Sequence, residues 1–225
     1  MPRLIPALLL FLSPALLAAD IEKKPVGLTT NWPMWRGPQG DGSSTEVNIP
    51  TKWNGKTGEN IAWKVEIPGT GHSSPIVWGD RVFVVSCLED KKDRVLISLD
   101  RKTGKTIWQK DVLEVGLEKK HGLNSFASGT PATDGKLVYV TFLAMDGEVE
   151  KGRTPGDMVV AAYDFDGNQK WLVKPGRFAS VHGYCSSPVL FENMVIINGD
   201  HDGDGYLVAL DKTTGKEIWK TARPN

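Results

Sequence analysis

Short runs of apolar and β-branched residues, separated by polar turn residues rich in Asp and Gly, recur along most of the chain. Residues 96–99, 159–163 and 207–210 are three such runs. Each run ends in Asp, which is followed by two or three turn residues and Gly before the chain continues to a Trp. β-prone runs bounded by Asp and Gly are typical of antiparallel hairpins. The pattern therefore predicts three hairpins whose second strand carries a Trp.

These hairpins belong to a longer repeat. The pattern occurs at 98–108, 162–171 and 209–219, and the Trp follows the turn Gly by four residues each time. A second hairpin precedes each copy and begins at a Ser-Pro or Thr-Pro pair, whose prolines, Pro75, Pro131 and Pro188, are 56 and 57 residues apart. Self-similarity at such a period is the mark of arrays and propellers. We therefore predict an all-β protein in which each repeat is a blade of four antiparallel strands.

An additional Trp lies ahead of the first repeat. Residues 59–67 resemble a fourth strand with Trp63 at the Trp position, but no first three strands precede them. We therefore expect three complete blades plus one orphan N-terminal strand. Propellers close with about 4 to 8 blades, so we predict a partial propeller that continues beyond residue 225; the rival interpretation is closure by oligomerisation. The residues expected to dock the blades are Trp63, Trp108, Trp171, Trp219, Gly104, Gly167 and Gly215.

The N-terminal part has a different character. Residues 1–19 place Arg3 before an apolar run that ends in small residues, which indicates a signal peptide, the alternative being an uncleaved anchor. Residues 20–58 read as a linker and a clamp segment, in which the aromatic rings and prolines of 32–38 suit packing against the folded body. Residues 59–225 hold the repeats. The mature protein is expected to be periplasmic or secreted and, after cleavage, not an integral membrane protein.

Composition narrows the classes of function. The chain has 27 basic and 27 acidic residues, so its formal net charge is zero and nothing predicts nucleic-acid binding. Its 24 glycines, 14 prolines and 40% hydrophobic residues fit a turn-rich β protein. Cys87 and Cys185 lie in the first and third repeats, which a propeller separates by a whole blade. Two free or buried thiols are therefore expected rather than a disulfide.

The Ala/Ser-x-Asp-x-x-Thr-Gly-Lys-x-x-Trp pattern of 98–108 and 209–219 resembles the tryptophan-docking repeat of pyrroloquinoline quinone (PQQ) type β-propellers. The segment 32–38, Trp-Pro-Met-Trp-Arg-Gly-Pro, looks like the start of exported PQQ-like repeat proteins. The resemblance implies a propeller in which each Trp is held between neighbouring blades. This fold is shared by quinoprotein alcohol dehydrogenases and by the non-enzymatic propeller of the outer-membrane assembly machinery, so the resemblance does not decide the activity.

The quinoprotein dehydrogenases typically have adjacent cysteines beside the cofactor, and this chain has no such pair. Their aspartate base and calcium ligands also match no motif here. The first hypothesis is therefore an exported, non-catalytic propeller that binds or scaffolds a protein of the envelope or the extracellular space. The alternatives are a PQQ-dependent dehydrogenase of alcohols or sugars, and a calcium- or carbohydrate-binding propeller.

One face of the predicted propeller gathers the candidate binding residues. In a four-stranded meander, the loops between blades and the loops between second and third strands lie on the same face. That face should carry all four histidines of the chain, the insertion at 142–157 and Cys185. The other interpretation is that these are solvated loops whose histidines bond to the backbone. The candidate residues are His72, His121, His182, Cys185 and His201.

An acidic loop on the same face is a candidate metal site. Asp200, Asp202 and Asp204 have the D-x-D-x-D-G spacing that opens calcium loops, in which alternate carboxylates converge and Gly allows the sharp turn. Helices of the kind that flank an EF-hand are not predicted on either side. A calcium ion held in a hairpin loop and a solvated acidic turn are therefore both open.

Overall fold

A computed structural model describes residues 31–223, which form three four-stranded antiparallel sheets. In each sheet the strands follow one another in chain order, so each sheet is a simple meander. The one helical element among the described residues is a short 3-10 turn, Glu89–Lys91. The first sheet contains β1 (Ile76–Trp78), β2 (Arg81–Leu88), β3 (Asp93–Asp100) and β4 (Thr106–Glu114); the second contains β5 (Ala132–Thr133), β6 (Leu137–Met145), β7 (Thr154–Asp164) and β8 (Gln169–Ser180); the third contains β9 (Val189–Phe191), β10 (Met194–Asn198), β11 (Gly205–Asp211) and β12 (Glu217–Arg223).

The sheets stack face to face as propeller blades, and the prediction of an all-β propeller fold is confirmed. The first strands, β1, β5 and β9, are neighbours, which places them on the inner side. Phe83 and Val85 of the first blade pack against Val140 and Phe142 of the second. The opposite face of the second blade is also apolar and packs against the third blade. Each contact buries the apolar face of two sheets, which is the main source of stability for a stack of this kind.

The second blade differs from the expectation for residues 142–157. This stretch was predicted to be one long loop, but β6 runs to Met145 and β7 begins at Thr154, so only 146–153 connect them. Phe142 and Leu143 are buried between the blades. The loop prediction was wrong because burial of these apolar residues extends the ladder to Met145, which pairs with Gly156 of β7.

The Asp-x-x-Thr-Gly turns have one local geometry. In the first blade, Oδ1 of Asp100 accepts hydrogen bonds from the backbone N–H and the hydroxyl of Thr103, at 2.8 and 2.7 Å. Asp211 accepts the same pair from Thr214, at 2.8 and 2.9 Å. These hydrogen bonds, first of all the one from the Thr side chain, hold the pKa of both carboxyls below its usual range. The Asp and Thr therefore fix the turn, as short polar side chains do when they bond to their own backbone.

Each turn receives the Trp of the preceding repeat. The indole N–H of Trp108 donates to the carbonyl of Phe165 at 2.8 Å, and that of Trp171 donates to the carbonyl of Lys212 at 2.9 Å. Both rings lie over the turn Gly of the next blade: a Cβ on Gly167 would lie 3.1 Å from Trp108, and one on Gly215 would lie 2.7 Å from Trp171. The Gly is therefore needed for positive φ and also for the close approach of the ring.

The Ser/Thr-Pro pairs make a second contact between blades. The backbone N–H of Ser74 donates to the hydroxyl of Thr130, and that of Thr130 donates to the hydroxyl of Ser187, both at 2.9 Å. The hydroxyl residue before each Pro thus joins the first strands of neighbouring blades. Sequence reasoning used these pairs only to mark the start of a strand.

Trp63 docks like the other repeat tryptophans, although residues 59–67 do not form a strand. Its indole N–H donates to the carbonyl of Arg101 at 2.8 Å, and a Cβ on Gly104 would lie 2.5 Å from its ring. The prediction of a strand at 59–67 was wrong, because no ladder within residues 31–223 pairs this segment with another strand. Trp63 instead packs on the face of the first sheet, against the cluster that contains Val82 and Ile97.

The sequence also gave expectations about a signal peptide, a membrane-spanning segment and the two cysteines. The proposed signal peptide, 1–19, lies outside the described residues. Within residues 31–223 no helix is long and apolar enough to cross a membrane. Both cysteines are free thiols; Cys87 is buried and Cys185 is exposed. Burial raises the pKa of Cys87 to about 11, so little of this thiol is in the reactive thiolate form near neutral pH.

Candidate functional site

A groove of about 640 Å³ opens where the inner strands begin. Its wall comes from the N-terminal segment and from the chain just before the first strands of all three blades. The groove is mostly apolar, with a small number of polar groups, which is the usual character of a binding site. The lining residues include Met34, Trp35, Arg36, His72, Thr130, Cys185, Ser187, Pro188, Val189 and Asn198.

The segment 32–38 forms one side of this groove by lying across two blades. Trp32 and Val77 exchange both backbone hydrogen bonds, at 2.8 and 2.9 Å, and the N–H of Thr133 donates to the carbonyl of Pro33 at 2.8 Å. The next residues, Trp35 and Arg36, are exposed and face the groove. The Arg36 guanidinium lies 5.2 Å from the Trp35 ring centroid, within the range of a cation–π contact.

His72 and Cys185 line the groove together. The N–H of His72 donates to the carbonyl of Ala127 at 3.1 Å and to the hydroxyl of Ser125 at 3.0 Å, so the loop before the second blade holds it in place. Both side chains are exposed. No hydrogen bond joins the imidazole to the thiol among the contacts of the described residues. The pair therefore supplies polar groups to the groove but lacks the thiol–imidazole contact of a cysteine nucleophile and its base.

His121 and His182 form a second pair on the adjoining loops. Their ring centroids are 5.8 Å apart, and the carbonyl of His182 accepts hydrogen bonds from the N–H of His121 and from the amide of Asn124. Nδ1 of His121 accepts a hydrogen bond from the N–H of Leu123 at 3.2 Å. The neutral His121 ring therefore carries its proton on Nε2, and this nitrogen can donate to a ligand.

His201 lies apart from that pair. Its ring is half-buried beside Phe178, with the centroids 5.4 Å apart. The structure thus brings together His72 with Cys185 and His121 with His182, whereas His201 packs beside Phe178 and lines a different pocket, with Arg177 and Tyr206.

The acidic loop uses its carboxylates for separate contacts. Asp200 pairs with Arg223 at 2.8 Å, and Oδ2 of Asp202 accepts the N–H of Val181 at 2.8 Å. Asp204 is exposed. No group of three or more His, Cys, Asp or Glu side chains within residues 31–223 is arranged to hold a metal ion. In this geometry Asp202 ties the loop to the chain next to His182.

A buried ion pair supports the loop that carries His121. Arg94 is fully buried in β3 and donates to the carbonyl of Val115 at 2.7 Å, and its guanidinium pairs with Glu118. Burial raises the pKa of the Glu118 carboxyl, and the Arg94 charge opposes this rise. The N–H of Lys119 adds a hydrogen bond to the hydroxyl of Thr154. Sequence reasoning missed this buried ion pair. Its one signal in the sequence was an Arg within the apolar run of β3.

An acidic pair, Asp93 and Asp111, lies close to Arg94 in the first blade. Asp93 is buried, next to Asp111 and across the ladder from Glu114. Burial, and then the contact with Asp111, raise the pKa of Asp93 to about 6. This carboxyl is therefore largely protonated in mildly acidic solution, and the two acids can share a hydrogen bond.

Comparison with known proteins agrees with this architecture. A family model described as outer membrane protein assembly factor BamB matches residues 44–149. Quinohemoprotein alcohol dehydrogenase ADHIIG from Pseudomonas putida HK5 is similar in structure, with a TM-score of 0.50 and 20% identity over 71% of this chain and 22% of that chain. The enzyme of the same class from Comamonas testosteroni gives a TM-score of 0.46 and 21% identity, over 69% of this chain and 21% of that chain.

BamB from Moraxella catarrhalis gives a TM-score of 0.34 and 18% identity, over 73% of this chain and 55% of that chain. The chain thus spans about a fifth of the length of the dehydrogenases that it resembles. No curated protein matches it in sequence. In its repeat and in its fold, the chain resembles the PQQ-like β-propeller proteins.

Proposed function

We propose that the protein is an exported, non-catalytic binding module that holds a partner protein on its loop face, with the groove beside Trp35 and Arg36 as the anchor site. The observation that carries this proposal is the groove itself. An aromatic ring and a guanidinium project into it from a segment that is fixed by backbone hydrogen bonds across two blades. Trp and Arg are the residues that most often dominate the binding energy of a protein interface.

The chemistry of the wall indicates the kind of partner segment. Met34, Trp35, Pro188 and Val189 supply apolar surface, and Arg36 supplies a positive charge. None of the residues that line the groove is an Asp or a Glu. A segment with apolar side chains and a carboxylate therefore fits this groove better than a basic one, because the carboxylate can pair with Arg36 while the apolar groups leave water. The match to a family described as outer membrane protein assembly factor supports a partner in the cell envelope.

The residues present do not fit PQQ with its calcium ion. The lining holds no carboxylate that could bind calcium beside the cofactor or serve as a base. It also holds a single cysteine, Cys185, where the dehydrogenases have an adjacent pair. The donor set of the groove is instead one guanidinium, one imidazole and several hydroxyl and amide groups. This set suits hydrogen bonding to a peptide.

A displayed peptide library, panned on the purified protein, tests the proposal. We expect enriched sequences to combine apolar residues with Asp or Glu, and their binding to fall at least about tenfold in Trp35→Ala and in Arg36→Glu, as expected for anchor residues. Trp53→Ala is the matched control, because Trp53 is exposed but does not line the groove. Equal binding by all three variants would contradict the assignment of the groove.

A second arm tests the alternative activity. The purified protein is supplied with PQQ and calcium, and reduction of a dye is followed with a panel of alcohols and sugars. We expect no turnover above the protein-free control. Turnover that is lost in Arg36→Glu would overturn the non-catalytic proposal and would identify the groove as an active site.

A further inference from the structure

The first strands of the three blades share one register with their second strands. In each blade, the second residue after the repeat Pro pairs with the residue five positions later in the chain. These residues are Val77, Thr133 and Leu190. In an antiparallel pair, the N–H and C=O of a residue point either to the partner strand or to the opposite edge. Because the register is the same, the three residues direct their backbone groups to the same edge, which we call the inner edge.

The segment 32–38 pairs with this inner edge in the first two blades. Trp32 and Val77 exchange both backbone hydrogen bonds, so the groups of Val77 point away from β2. The N–H of Thr133 donates to the carbonyl of Pro33. Consecutive residues of one extended segment thus pair with the first strands of consecutive blades. The chain then turns, and the N–H of Gly37 donates to the carbonyl of Met34 at 2.9 Å.

The equivalent residue of the third blade, Leu190, lacks such a pairing. Within residues 31–223 no backbone group bonds to its inner edge. Ser187, Pro188 and Val189, which lead directly to it, line the groove. Val189 is 51% exposed, whereas the Leu190 side chain packs against the core between the second and third blades. The groove is therefore bordered by a strand edge whose side chain is anchored and whose backbone groups are open to another chain.

We propose that the partner segment binds in this groove as an extended chain, and that one of its residues exchanges two backbone hydrogen bonds with Leu190. In strand addition of this kind, the main chain supplies affinity and the alternate side chains supply specificity. The inference rests on the function proposed for the groove and adds the conformation in which the partner is held. Trp32 on Val77 is the example of this pairing within the chain itself.

The groove also selects which extended segment fits. Among the described residues that line it, Arg36 alone carries a permanent charge. Successive side chains of a strand point to opposite sides. A segment paired with Leu190 can therefore place apolar side chains on Val189 and Trp35 and direct a carboxylate to Arg36. The occupant is accordingly an acidic and apolar segment of a partner protein.

Backbone methylation of a bound peptide tests the pairing. A synthetic peptide with the most enriched sequence of the displayed library is methylated at one backbone nitrogen at a time, and its affinity for the protein is measured by calorimetry. We expect methylation of the residue opposite Leu190 to weaken binding at least about tenfold, because it removes a donor and puts a methyl group at the strand edge. Methylation of either neighbour, whose N–H points away from β9, should change the affinity by less than about threefold.

Hydrogen exchange measured by NMR reports on the protein side of the same contact. In the free protein, the Leu190 amide should exchange faster than the amides of Val77 and Thr133, which are bonded to the segment 32–38. A saturating amount of the unmethylated peptide should slow exchange at Leu190 at least about tenfold. Thr133 is the matched control, because its N–H is already bonded and its exchange should not change.

The outcomes separate this inference from the function on which it rests. A peptide that needs Trp35 for binding but tolerates methylation at every position would overturn the pairing and leave the groove as the binding site. Peptides that bind equally well without Trp35 and Arg36 would overturn both. If the Leu190 amide of the free, dilute protein is as protected as that of Thr133, another segment of the chain already covers the edge, and the inference is wrong. Protection that appears only at high protein concentration would overturn it in favour of a second copy.

Discussion

Replacement of Trp171 by Ala measures how much one docking contact contributes to stability. The Trp171 side chain is only 8% exposed, and its indole donates to the carbonyl of Lys212. A buried Trp removes up to about 250 Å² from water, which at about 25 cal/mol per Å² gives an upper bound of about 6 kcal/mol. Because Ala retains part of this surface and the site can relax, we expect a loss of about 3 to 5 kcal/mol.

Urea unfolding followed by far-UV circular dichroism provides the assay. With a slope of about 3 kcal/mol/M, the expected loss moves the urea midpoint down by about 1 to 1.7 M. Trp53→Ala is the control, because Trp53 is 68% exposed and its replacement should change stability by less than about 0.5 kcal/mol. If Trp171→Ala and Trp53→Ala have the same urea midpoint, the docking argument is refuted.

A double-mutant cycle with Gly215 separates the ring contact from strain in the turn. Gly215→Ala places a Cβ 2.7 Å from the Trp171 ring, at a backbone φ of 71°. In wild type the change should therefore destabilise through both the clash and the strained φ. In Trp171→Ala only the strain remains, so we expect the two losses to be less than additive. Strict additivity would mean that the ring does not contact the turn.

Three further predictions concern charged groups. Glu118→Ala should lower stability by about 3 kcal/mol in thermal or urea unfolding, because it leaves the buried Arg94 without its counter-charge; an unchanged midpoint would exclude a structural role for the pair. The pKa of Asp93 rises from 3.8 to about 6 in the folded protein, so its contribution to stability is fully present below about pH 4 and is lost as the pH rises through 6. Tm should therefore fall between pH 4 and 7 in the wild type, and Asp93→Asn should remove this dependence of Tm on pH. If the variant keeps the same dependence, another group causes it. Asp202→Ala should lower Tm equally with and without calcium, because the Asp202 carboxylate already accepts the Val181 N–H; a calcium-dependent rise in Tm that the variant abolishes would instead identify a calcium site.

The sequence by itself determined the repeat and the local form of each blade. Alternation of apolar residues, the Asp and Gly of the turns and the spacing to the Trp are local signals, since each hairpin joins residues close in the chain. The same signals placed Trp63 at a docking position before any contact was known. Its segment was nevertheless expected to be a strand, because local propensity does not show whether a neighbouring strand is present to pair with it.

Only the tertiary structure decided how the loop face is assembled. The hydroxyl of Thr130 meets the Ser74 N–H, and the clamp residue Pro33 meets Thr133, across separations of 56 and 100 residues. Arg94 reads as an anomaly in an apolar run until the stacked loop at 115–118 surrounds it with carbonyls and Glu118. The sequence predicted that all four histidines lie on one face, but it did not show that the His121 and His182 rings contact each other while the His201 ring contacts Phe178. These contacts depend on the angle and spacing at which the sheets stack, and that geometry is set by the packing of their buried faces, which the local pattern of a single strand does not contain.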